Sequence, residues 1–205
     1  MNNDYARSDF NLTNRLVIDF AWDLPWGNAS KLRSGWTVSG IVIAESGQPF
    51  TIFAGPVGSE LTERANVTGQ INTTGNPNAY INPTGAISSP STTCAAAQPA
   101  NSYYVQGQVL FGGVAGSPCL GSSARNQFTG PAYVNFDTAL QKNLPLGERL
   151  NLVLRAEFYN LFNRANYYNP VSNYSLNGVT ANPQFGEILS AHAPRRIQLA
   201  ARLNW

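Results

Sequence analysis

The chain is short of charge, of sulfur and of long apolar runs, and each shortage removes a class of protein. Lys and Arg together number 13 and Asp and Glu 11 in 205 residues, for a net charge of +2, about half the charged share of an ordinary soluble domain. No basic patch stands out, so nucleic acid is not an expected partner. One histidine, His192, and two cysteines, Cys94 and Cys119, are too few for a metal site built from such ligands. There is no nucleophile elbow, phosphate loop or paired-cysteine zinc spacing, so no catalytic, cofactor or metal residue is expected and the chain does not read as an enzyme. No apolar run reaches the roughly 18 residues of a membrane helix. The opening MNNDYARSDF lacks the apolar stretch of a secretory signal, so either an exporting segment was removed or the chain is expected to begin within something larger.

What is present is Asn, Ser, Thr, Gly and Pro, with nine Tyr, ten Phe and four Trp, a composition suited to an exported β-protein. The key stretch is RLNLVLRAEFYNLFN, residues 149–163. Read with period two it places Leu150, Leu152, Leu154, Ala156 and Phe158 on one face, against Asn151, Val153, Arg155, Glu157 and Tyr159. The same alternation predicts strands over residues 15–25, 36–53, 132–143 and 195–205. The fold class is therefore all-β, an antiparallel sheet of about five long strands.

Across these strands the dry face carries no charge, and Thr138 is its one polar side chain. The opposite face carries Arg15, Asp19, Asp23, Glu45, Asp137, Arg155, Glu157, Arg196 and Arg202. Three features point to lipid as the partner of the dry face. The strands have about the 9–11 residues needed to cross the hydrocarbon at a tilt. Short turns (26–34 and 144–148) alternate with long loops (54–130 and 164–194), as in outer-membrane barrels. Trp22, Trp36 and Trp205 sit on the dry face near strand ends, as in an aromatic girdle. Five strands cannot close a membrane barrel, so the sheet is expected to be an arc of a larger one. Two alternatives stay open: a secreted β-sandwich that binds or adheres, with the dry face as its core, and a chain of an oligomeric porin.

A candidate disulfide between Cys94 and Cys119 would close a loop of roughly 25 residues and stabilise it by about 3 kcal/mol, and two unpaired thiols are the other reading. His192, beside Pro194, reads as a surface residue. Arg155 and Glu157 are expected to pair with each other or with Asp137 and Arg202 on neighbouring strands, as a charge ladder. Tyr103, Tyr104, Tyr167, Tyr168 and Tyr174 are candidates for ligand contact in the loops.

Three segments carry a family resemblance: RAEFYNLFNRANY (155–167), SGWTVSGIVIAESGQPFTI (34–52) and the closing FGEI with PRRIQLAARLNW. The first resembles the penultimate strand of TonB-dependent outer-membrane transporters, and the other two resemble the Oar-like branch. The resemblance implies a 22-stranded barrel with an N-terminal plug, energised uptake of a scarce or bulky ligand, and a place in the bacterial outer membrane. These would be its last five strands, with Leu203 and Trp205 matching the terminal signal read by the barrel-assembly machinery. Asp19, Glu45, Asp137, Arg155, Glu157 and Arg202 would face the lumen. The implied partners are outer-membrane lipid, the remaining barrel and plug, and the TonB system acting through that plug. No plug, TonB-box segment or leading strand lies within this sequence.

Overall fold

A computed structural model describes residues 5–26, 30–54, 64–67, 71–82, 87–88, 123–174 and 181–205. Cys94, Cys119, Tyr103 and Tyr104 lie outside them. In chain order the strands are β1 (Arg15–Asp23), β2 (Trp36–Glu45), β3 (Pro49–Phe50), β4 (Asn66–Val67), β5 (Asn72–Thr73), β6 (Ile81–Asn82), β7 (Ile87–Ser88), β8 (Phe128–Thr129), β9 (Tyr133–Pro145), β10 (Asn151–Tyr159) and β11 (Arg196–Asn204). Among the described residues the sole helical element is a 3-10 turn at Pro77–Ala79.

The chain divides into two compact units. One comprises Leu12–Gly47, Pro131–Tyr168 and Ser190–Trp205, and it holds a five-stranded antiparallel sheet in the order β1-β2-β9-β10-β11. Its register keeps every dry-face residue opposite another: Phe20 faces Gly40, Gly40 faces Thr138, Thr138 faces Phe158 and Phe158 faces Ile197. A slip of one residue anywhere would put charge among the apolar side chains, so the alternation itself fixes the pairing.

Burial is the reverse of a soluble domain. Leu199 is 77% exposed and Trp22 60%, whereas Asn135 and Ala139 on the polar face are each 8% exposed. Among the described residues of this unit the apolar face is left exposed, not packed as the core of the sandwich alternative. Gly40 is required by its neighbours: a Cβ there would stand 2.7 Å from the Asp137 carbonyl oxygen and 2.9 Å from the Phe20 ring, which lies over the gap.

The sheet differs from the sequence reading at three strand ends and in one charge. β2 stops at Glu45 rather than 53, because Asn14 and Ser46 close its ladder by exchanging hydrogen bonds and Pro49–Phe50 then pairs with β8 instead. β10 stops at Tyr159 rather than 163, because Asn160 and Asn163 take φ of 53° and 51°, values that asparagine tolerates better than most residues. β9 runs on to Pro145, and the turn lies one or two residues later, closed by the Leu146 N–H on the Leu150 carbonyl at 2.8 Å. The fourth difference concerns charge. Lys142, inside the strand expected over 132–143 and two residues beyond Leu140, stands in register with Trp36 and Leu154, so the apolar face does carry a cation, and that side chain is only 4% exposed.

The second unit comprises Met1–Asn11, Gln48–Gly130 and Asn169–Leu189. Its described part has a core of Phe50, Ile52, Ala54, Ala65, Ile81 and Ile87, flanked by Tyr80, Phe128, Tyr174 and Phe185. Three two-stranded ribbons, β3-β8, β4-β7 and β5-β6, frame it. The described parts of the excursion expected over 54–130 thus carry structure of their own, as a connection of that length requires.

Candidate functional site

The polar face of the five-stranded sheet holds an open depression of about 340 Å³, lined by Asp19, Ser39, Asp137, Arg155, Glu157 and Tyr159 among others. Strand alternation puts these side chains on one side, and the register aligns them in rows. Asp19, Ile41 and Asp137 form one row, and Asp23, Thr37, Gln141 and Arg155 another.

Within this patch the charges are largely committed. Arg155 Nε lies 2.7 Å from Glu157 Oε1, and its Nη1 donates to Gln141 Oε1 at 3.4 Å. The Tyr159 hydroxyl donates to the other Glu157 oxygen at 2.9 Å, and the Arg196 guanidinium lies 5.7 Å from the centre of the Tyr159 ring. Arg15 and Glu45 pair at 2.8 Å. Asp23 accepts the Thr37 hydroxyl at 2.6 Å. The expected partnership of Arg155 with Glu157 therefore forms, but the alternatives with Asp137 and Arg202 do not. Asp137 instead accepts the Asn160 backbone N–H at 2.8 Å, and Arg202 stands opposite Val153. Such a half-wet ladder orients dipoles but contributes little stability, since exposed ion pairs are worth about 0–1 kcal/mol.

The Asn160–Asn163 turn was legible only as a family word, yet its geometry shows what the asparagines do. Asn160 Oδ1 accepts the Arg164 N–H at 2.9 Å, and its Nδ2 donates to the Arg164 and Ala193 carbonyls at 2.9 and 3.3 Å. Asn163 Oδ1 accepts the Arg195 N–H at 3.0 Å. The end of β10 is thus tied to the entry of β11 by side-chain amides. Phe162 projects on the apolar side and meets Phe136 edge-on at 4.9 Å.

His192 is exposed, as the sequence reading expected, but it is not alone. It stacks on Tyr168 at 4.2 Å and meets Tyr133 edge-on at 4.8 Å. Tyr167 bridges to Ala191. Tyr174, partly buried, packs against the core of the other unit and meets Phe185 edge-on at 5.4 Å. Leu203 and Trp205 lie on the apolar side, 46% and 90% exposed. Among the described residues no group of His, Cys, Asp and Glu is arranged to hold a metal ion.

In the second unit sequence reading missed a polar clamp, because it joins residues more than a hundred positions apart. Asn126, 4% exposed and at φ 53°, donates to Asp9 Oδ1 at 2.6 Å and to the Arg7 carbonyl at 2.7 Å. Arg125 pairs with Asp9 Oδ2 at 2.8 Å. The Asn126 hydrogen bond and then the Arg125 guanidinium hold the Asp9 carboxyl below its ordinary value. Burial raises the Tyr80 hydroxyl above its ordinary value.

A family model described as an outer membrane beta barrel domain matches residues 1–198. No curated protein and no solved structure matches the chain.

Proposed function

Because the chain belongs to the outer membrane beta barrel domain family, and its sheet accordingly lies in the bacterial outer membrane, we propose that it forms the last five strands of a TonB-dependent transporter of the Oar-like kind. The single observation that carries this reading is the sheet itself. Five strands of membrane-spanning length share one apolar face, and among the described residues β1 and β11 each keep an unpaired edge. An open edge in hydrocarbon leaves backbone groups unsatisfied at several kcal/mol each, so further strands of a larger barrel must close it. The polar face then lines the lumen, with Asp19, Glu45, Asp137, Arg155, Glu157 and Arg202 along the ligand path. The long loops connect β2 to β9 and β10 to β11, and their length supports placing that end of the sheet at the cell exterior. The role is transport rather than catalysis, and Leu203 with Trp205 forms the recognition signal for barrel assembly. The partners are the plug, the energising TonB system and the assembly machinery.

The test is to cross-link, in cells, the outer-membrane species that bears this sequence. Recovery of a TonB-type energising protein, together with ligand uptake that stops when the proton-motive force collapses, supports the transporter. A ring made only of copies of this chain, with uptake indifferent to that force, makes it an oligomeric porin instead.

A further inference from the structure

We propose that the short turn before β2 is a membrane-interface clip that binds the phosphate of an anionic phospholipid. The proposal rests on the sheet's place in a membrane, not on the transport reading.

The observation is that the described part of this turn, residues 30–35, folds onto the lipid side of the sheet with five of its carbonyls, those of Ser30, Lys31, Leu32, Ser34 and Gly35, already occupied. The Ser30 carbonyl accepts the N–H groups of Arg33 and Ser34 at 3.0 and 3.1 Å. The Leu32 carbonyl accepts Trp36 Nε1 at 3.1 Å. The Lys142 ammonium donates to the Lys31 carbonyl at 2.9 Å and also to that of Ser34, while lying 5.2 Å from the centre of the Trp36 ring. The Gly35 carbonyl accepts the Asn143 N–H at 2.8 Å, and Gly35 itself needs its φ of 76°. A turn whose carbonyls are occupied in this way can rest in an interface of low polarity, where free ones would be costly.

The side chains it presents are sorted for such an interface. Leu32 is 75% exposed, with Trp26 at 58% and Trp22 at 60% nearby in sequence. Lys31 and Arg33, both exposed, flank Leu32, and residues 24–36 contain no acidic side chain. The nearest carboxylate in sequence, Asp23, faces the other side of the sheet and is held by Thr37. The other short turn carries both Glu148 and Arg149 and lacks this one-signed character. Apolar insertion at Leu32 with a cation on each side matches the boundary between acyl chains and anionic headgroups. Lys142 acts as a positioning residue: its charge is spent on the turn's carbonyls, which leaves Lys31 and Arg33 to meet the lipid.

The test uses the intact barrel bearing this sequence, reconstituted in phosphatidylcholine vesicles doped with photoactivatable phosphatidylglycerol or photoactivatable phosphatidylcholine. Cross-links are mapped to the 30–36 peptide, and heat-modifiable electrophoresis confirms folding. The expected result is a roughly 25-fold preference for phosphatidylglycerol that falls about fivefold for each basic residue removed in Lys31→Gln and Arg33→Gln. Lys142→Met should lose the preference although both surface cations remain. Equal labelling by the two lipids in the unmodified protein, or an unchanged preference in the double Gln variant, overturns the proposal. The Gln variants alter only exposed side chains, so the answer does not depend on Lys142→Met folding.

Discussion

The side-chain amide of Asn166 meets both backbone groups of Val134: Nδ2 donates to the Val134 carbonyl at 2.8 Å, and the Val134 N–H donates to Oδ1 at 3.0 Å. β10 has already turned away at Asn160, so this amide supplies the rung that a strand residue would otherwise give to β9. Asn166 is 2% exposed, and its own carbonyl accepts the His192 N–H at 2.7 Å. Asn166→Leu leaves two partly buried backbone groups without the amide and should destabilise the barrel by about 1–3 kcal/mol. Urea unfolding in lipid vesicles measures this, and an unchanged midpoint would show that the rung is dispensable.

The two faces should respond oppositely to the same new charge. Leu199→Arg puts a cation on the lipid side near mid-strand and should cost about 2–4 kcal/mol, or prevent assembly. Gln198→Arg, one residue earlier and opposite Glu157 in register, should be close to neutral. Heat-modifiable electrophoresis after folding into vesicles compares them, and equal tolerance of both would contradict the assignment of the faces.

Arg155→Gln tests whether the ladder sits in water. It breaks the 2.7 Å contact with Glu157, and in a hydrated lumen the loss should be under about 1 kcal/mol. A loss of about 3–5 kcal/mol would mean a desolvated pair. The same unfolding assay distinguishes them.

Asp9 gives the loop unit a pH dependence. Its carboxyl is held below its ordinary value of 3.8 by Asn126 and then Arg125, so the folded state favours the ionised form. The clamp's contribution is therefore full above that value and is lost as pH falls through the lowered one. Hydrogen exchange of residues 123–129 should accelerate in that acidic window and lose this dependence in Asp9→Asn. Exchange insensitive to pH in the unmodified protein, beyond the intrinsic chemical effect, would remove Asp9 from the clamp.

Alternation alone determined the strands of the sheet, their faces and, through the need to keep charge off one face, their register. That information is local, because side-chain direction in a strand repeats every two residues. The tertiary structure decided the rest. Alternation counted no charge on the apolar face, yet Lys142 stands there, and only the fold supplies the carbonyls of a turn distant in sequence that solvate it. Asp137 read as a ladder charge and serves as the acceptor for the turn at Asn160. Asn126, Asn160 and Asn166 carried no periodic signal, since a side-chain amide that replaces a backbone partner is specified by what lies across space from it. Lipid imposes a pattern that can be read along a strand, whereas hydrogen bonds between distant segments exist only once the chain has folded.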